Sequence, residues 1–171
     1  TGWGSFALHA ARNYGCHVTT TTISDNQFGY VSDLISKENL WSQITLLNSD
    51  YRELEGSYDK IVSIEMIEAV GPDHVSGFFN KVSSLLRPSG LMALQGITYN
   101  DPDFEAYKNS VDFIKKYIFP GGCLVSVTQI KDAIKAKTDL TLVEVEDITQ
   151  HYARTVKYWR QDFIKALPEI R

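Results

Sequence analysis

The sequence is poor in several features that mark common protein classes. No apolar run approaches the roughly 20 residues of a membrane-spanning helix. Two cysteines, Cys16 and Cys123, are too few for a disulfide framework or a cysteine metal box, and suit a reducing, cytoplasmic compartment. Basic charge is not in excess. There are 17 Lys+Arg against 21 Asp+Glu, net −4, so the electrostatic footprint of a nucleic-acid binder is missing. Four histidines, His9, His17, His74 and His151, are scattered, and none has the spacing of a metal site. Neither a G-x-S-x-G elbow nor a G-x-x-x-x-G-K-[ST] phosphate loop occurs.

What is there is ordinary globular material: 43% hydrophobic and 22% charged residues over 171 positions. The periodicity predicts helices over Ser5–Tyr14, closed by Gly15, and over Asn26–Ile35, capped by Ser24. Strands are expected at His17–Ile23, Gln43–Asn48, Tyr58–Glu65 and Leu91–Thr98, with a loop or single turn at Asp50–Leu54 and a turn at Arg87–Gly90. A helix opening at Pro72 carries Val75, Phe78, Phe79, Val82, Leu85 and Leu86 at the 3.6 period. Helices and strands therefore alternate as in an open α/β sheet. After Tyr99 the rhythm changes. Val111–Phe119 and Ser126–Lys137 read as helices, Thr141–Ile148 as a half-exposed strand, and Tyr152, Val156, Trp159 and Phe163 as a last helical stripe that Pro168 ends. Residues 99–137 look like an insertion covering a site at the strand ends.

Polar residues gather after the predicted strands. Gly2-Trp3-Gly4 precedes a helix, where glycines let the backbone approach a ligand and the helix offers free N–H donors. By itself this pair is equally a tight turn. Thr22, Ser24 and Gln27 stand where a dinucleotide site usually places a carboxylate for ribose. They can hydrogen-bond a sugar without charge, and Ser24 also reads as an ordinary cap. Asp50, Tyr51 and Arg52 offer an acceptor for an exocyclic amine and a ring for a base, or form a surface turn. Glu68 lies among Ile67, Ala69 and Val70, where a carboxylate is costly unless paired or bound. Helix capping is its plainer role. Gln95 and Ile97 end the next strand on the same rim.

Together these stretches resemble the cyclopropane fatty acid synthases and the related mycolic acid methyltransferases. The resemblance rests on Thr1–Ala7, Thr22–Gln27, Asp50–Arg52, Ser63–Gly71 and Tyr117–Leu124, supported by His151–Thr155, Trp159 and Phe163. It implies a Rossmann-like class I methyltransferase fold, with a mostly parallel sheet, helices on both faces and a helical cover. It implies S-adenosylmethionine as cofactor, with a bicarbonate ion beside it. Gly2, Trp3 and Gly4 would shape the methionine pocket. Thr22 and Gln27 would hold the ribose, Tyr51 and Arg52 would flank the adenine, and Ser24, Asp50 and Ile64 would complete the cofactor site. Glu68 matches the active-site glutamate that helps hold bicarbonate, Ile97 would offer its backbone to the same ion, and Gln95 stands where relatives often carry His. Tyr117, Phe119, Gly122 and Tyr152 would meet the acyl chain.

The implied reaction is methyl transfer to the double bond of an unsaturated phospholipid acyl chain, closing a cyclopropane ring. The implied setting is cytoplasmic with peripheral membrane contact, without nucleic acid, and it admits a homodimer. Two other readings stand beside it: methylation of another lipid or small molecule without ring closure, and a catalytically inactive chain that only binds cofactor. Nicotinamide fits the glycine pattern and the neutral Thr22/Gln27 pair poorly. Val125 departs from the proline common after Cys-Leu in the family. Because the chain opens directly on the glycine loop, without an initiator Met, it is expected to be one methyltransferase domain cut from a longer protein. It would lack the first strand, an upstream active-site cysteine and a C-terminal hairpin. A gap in the sheet beside Tyr58–Glu65 is the expected consequence.

Overall fold

The computed structural model describes residues 1–170. Helix α1 (Ser5–Tyr14) leads to β1 (Val18–Thr22), α2 (Asp25–Lys37) and β2 (Ile44–Asn48). Strand β3 (Tyr58–Ile64), α3 (Val75–Leu85) and β4 (Leu86–Gln95) follow. Then come β5 (Thr98–Tyr99), α4 (Phe104–Lys108), a π-helical turn at Ile114–Ile118, β6 (Val125–Ser126), α5 (Val127–Lys137) and α6 (Thr149–Ile170).

The strands pair as three parallel ladders, β1 with β2, β3 with β4 and β5 with β6. Parallel partners need a crossover, which α2 and α3 supply for the first two ladders. Thr22 lies opposite Asn48 and Ile64 opposite Gln95, so within each ladder the carboxyl ends finish level. Among the described residues no strand joins β1–β2 to β3–β4, so the expected gap beside Tyr58–Glu65 is present.

Two apolar clusters hold these parts. Leu8 and Ala11 of α1 and Val31 and Ile35 of α2 pack with Ile44 and Leu46 of β2. On α3, Val75, Phe78, Phe79, Val82 and Leu85 are buried. Helix α5, the last part of the stretch 99–137, packs against α3. The Tyr51 ring that follows β2 meets Phe78 of α3 edge-on, with centroids 5.7 Å apart.

Local signals account for most boundaries. Gly15 turns left-handed (φ 63°) and ends α1, with its N–H on Ala11 and the next on Ala10, a Schellman arrangement. Ser24 caps α2 by accepting from the Gln27 N–H, and Ser126 caps α5 through Gln129. The residues expected to turn, Arg87–Gly90, lie inside β4. Pairing jumps from Tyr58–Leu86 to Lys60–Leu91, so these four residues bulge out of the ladder.

Three sequence expectations are corrected. Thr141–Ile148 forms no strand, and Val143 and Val145 stay exposed. Their alternation suits a strand, but a strand needs a partner ladder, and none of the described residues pairs with them. Pro168 does not end the last helix, which runs to Ile170. Proline so near a helix end forfeits one backbone bond only. The strand expected over Leu91–Thr98 breaks after Gln95, where Gly96 and Ile97 leave the ladder.

The chain divides into two compact units, Thr1–Asp139 and a second beginning at Leu140. The second contains α6, whose Tyr152 and Trp159 rings meet edge-on at 6.3 Å. No helix among the described residues is long and apolar enough to cross a membrane.

Candidate active site

The glycine loop before α1 has left-handed backbone at Gly2 (φ 53°) and Gly4 (φ 87°). At Gly4 a Cβ would stand 3.0 and 3.1 Å from the two γ-methyls of Val31, so only glycine lets the loop lie this close to α2. A Cβ on Gly2 would meet nothing within 4 Å, so that side of the loop faces open space. Trp3 is exposed, with its ring edge-on to Tyr30. The Thr1 nitrogen donates to the Thr21 carbonyl, tying the loop to the end of β1.

At that strand end Thr22, Ser24 and Gln27 come together. The buried Thr22 hydroxyl donates to Gln27 Oε1 at 2.7 Å and accepts from the Ser24 N–H at 3.1 Å. This orients the Gln27 side chain with its amide NH2 as the remaining donor. One residue on, Asp25 accepts from Asn48 Nδ2 at 2.8 Å, linking the ends of β1 and β2.

After β2, Asp50 accepts from the Arg52 backbone N–H and from Nε and Nη2 of its guanidinium at 2.9, 2.9 and 2.7 Å. This fork, chiefly its side-chain hydrogen bonds, holds the Asp50 carboxyl at about 2. Burial pushes the Tyr51 hydroxyl above its ordinary value. Arg52 therefore serves first to lock Asp50 in place, ahead of any contact with a ligand.

The end of β3 differs. Ile64 is half-exposed beside Gln95, and Glu65 takes a left-handed conformation (φ 50°), uncommon for a residue with a Cβ. Glu65 N–H donates to the Gln95 carbonyl, and Gln95 Nε2 donates back to Glu65 Oε1 at 2.9 Å. Next comes Glu68. Its Oε1 accepts from the Ile97 N–H at 2.6 Å, while its Oε2 is buried with no hydrogen-bond partner. A buried unsatisfied polar atom costs about 1–3 kcal/mol, more when charged, which sets this oxygen apart as the one carboxylate among the unpartnered atoms of the described residues. The Ile97 N–H thus fixes the Glu68 carboxylate.

Two glycines crowd this group. At Gly96 a Cβ would lie 3.0 Å from Ile67 Cγ2 and 3.5 Å from Glu68 Oε1. At Gly122 it would lie 3.6 Å from the Glu68 carbonyl, which accepts from the buried Cys123 N–H at 2.8 Å. Tyr117 and Phe119, from the same segment, are exposed. Tyr152 lies on α6, in the second unit. Gly96, Cys123 and Tyr107 of α4, whose hydroxyl accepts from the Leu124 N–H at 3.1 Å, were not singled out as site residues. The only signal in the sequence was that Gly96 follows a strand and Cys123 a glycine pair.

Alternating helices and parallel strands, a glycine loop before the first helix and an acid at the strand ends define a class I methyltransferase fold. The chain superposes on the cyclopropane synthase MmaA2 of Mycobacterium tuberculosis with a TM-score of 0.86, at 26% identity over 98% of this chain and 62% of that one. On the cyclopropane synthase CmaA1 complexed with SAH and CTAB the TM-score is 0.82, at 28% identity over 92% and 58%. The profile of the mycolic acid cyclopropane synthetase family matches residues 1–171, and the chain belongs to that family. It is 36% identical to the cyclopropane-fatty-acyl-phospholipid synthase of Escherichia coli over 99% of its own length and 42% of that protein's. It is 35% identical to the tuberculostearic acid methyltransferase UfaA1 of M. tuberculosis over 96% of this chain and 38% of that one. The chain thus spans about two fifths of these two relatives.

Proposed function

We propose that the protein transfers a methyl group from S-adenosylmethionine to the double bond of an unsaturated phospholipid acyl chain and closes a cyclopropane ring. The observation that carries this reading is the buried, unpartnered Oε2 of Glu68 at the strand ends. The relatives named as cyclopropane synthases and the CmaA1 complex with SAH support it.

The residues present fit the cofactor. The open side of Gly2 leaves room against the backbone, and Gln27 presents an oriented amide donor for ribose hydroxyls. S-adenosylmethionine, when bound, supplies an electrophilic sulfonium methyl. Attack by an alkene on such a methyl leaves a carbocation, which water would trap, so the site must stay dry. Loss of a proton to a nearby base then closes the ring. A bicarbonate ion can serve in that role: Glu68, whose Oε1 is held by Ile97, would offer its free Oε2 as an acceptor to the ion's O–H. Exposed Val111, Phe113, Ile114 and Ile118 near Lys115 and Lys116 support peripheral contact with a lipid surface in a cytoplasmic enzyme.

Glu68→Gln tests the reading. Gln keeps the shape but cannot hold the base as an anion does. Methyl transfer to phospholipid should fall by about 10²–10⁴-fold, the usual worth of general-base catalysis, with cofactor affinity intact. Unchanged turnover would sink the role of Glu68. The match to UfaA1, named as a methyltransferase, favours a second reading in which the acyl chain is methylated without ring closure. It would keep the cofactor residues, and the cation would lose its proton to the base from a neighbouring carbon, leaving a methyl-branched alkene in place of a ring.

A further inference from the structure

Tyr107 is half-buried and held from several sides. Its ring stacks on Tyr99, with centroids 4.1 Å apart and planes 11° from parallel. The Lys115 ammonium lies 3.7 Å from the ring centroid and donates to the carbonyls of Tyr107 and Ser110 at 2.6 and 3.1 Å. A cation over one aromatic face and a stacked partner both hold the ring in place. Its hydroxyl receives the Leu124 N–H. The preceding amide, Cys123 N–H, goes to the Glu68 carbonyl. Consecutive amides thus stitch one segment to α4 on one side and to the Glu68 backbone on the other.

We propose that Tyr107 is a positioning residue, whose hydroxyl sets the 122–124 segment and through it the Glu68 backbone. This rests on the reading of Glu68 as the catalytic carboxylate. Lys115 and Tyr99 act behind it by fixing the ring.

Tyr107→Phe keeps the ring and its stacking and deletes only the hydroxyl. In the full-length protein, hydrogen exchange at the Cys123 and Leu124 amides should quicken about fivefold, the loss of one hydrogen bond. The kcat for lipid methyl transfer should fall about tenfold, within the range that small misplacement costs. KM for S-adenosylmethionine and the thermal midpoint should hold, which separates positioning from general loss of structure. Lys115→Met, which leaves the hydroxyl but frees the ring, should move exchange and kcat in the same direction and less. Unchanged exchange in Tyr107→Phe overturns the stitch. Faster exchange with unchanged kcat overturns the positioning role. A wild-type protein that methylates no lipid overturns the reading of Glu68 instead, a separate result that the exchange measurement does not depend on.

Discussion

The two halves of the site are built by different means. At β1–β2 the candidate cofactor residues satisfy one another over short stretches, Thr22 with Ser24 and Gln27 and Asp50 with Arg52, while longer bonds such as Asp25 to Asn48 tie the strand ends together. At β3–β4 the partners come from afar, Glu68 from Ile97 and Cys123, Glu65 from Gln95, and one carboxylate oxygen is left over. The first half is fixed by these bonds, apart from the buried Thr1 hydroxyl, which has no partner. The second holds an unsatisfied group, which is where chemistry is to be expected. Binding and catalysis should therefore be separable by mutation.

The largest break is expected at Gly96→Val. Its side chain would press on Ile67 and on the Glu68 carboxylate. Turnover should fall about 10²-fold, as misplaced catalytic groups do. Titration with S-adenosylhomocysteine, followed by Trp3 fluorescence, should change less than twofold. Equal loss of both would mean that the halves are not independent. A smaller and opposite effect should come from Thr22→Val. It removes the hydroxyl that orients Gln27, so calorimetry should show affinity for S-adenosylmethionine about five- to tenfold weaker, the worth of one hydrogen bond, with kcat retained. The smallest effect concerns acid stability. The Asp50 carboxyl sits at about 2 against a model-compound value of 3.8. Its stabilisation is thus complete above pH 3.8 and fades as pH falls through about 2. Arg52→Gln should flatten that part of the acid unfolding curve by lowering stability above pH 3.8, pH 7 included, and only slightly, because the pair is exposed. An unaltered acid limb would show that the fork does not set the Asp50 charge.

The same division explains what the sequence revealed. Helix ends marked by Gly15 and Ser24 were legible because a cap acts within a few residues. The Thr22–Gln27 cluster was legible for the same reason. Glu68 was visible as a carboxylate among apolar neighbours, but its anchor at Ile97 lies 29 residues away, and no local pattern encodes it. The break after Gln95 was missed because strand propensity continues through Ile97, while the end of the ladder is set by its partner strand, which pairs only as far as Ile64. Thr141–Ile148 failed in the opposite way: a local alternation with no partner to pair.

The most direct test of the account is the product itself. Full-length protein would be given S-adenosylmethionine with a 13C-labelled methyl and a phospholipid bearing one double bond per chain. The account predicts a lipid heavier by one labelled CH2, with the double bond consumed and the label in the ring methylene. Label in a branch with the double bond retained, or no label in lipid at all, would contradict it.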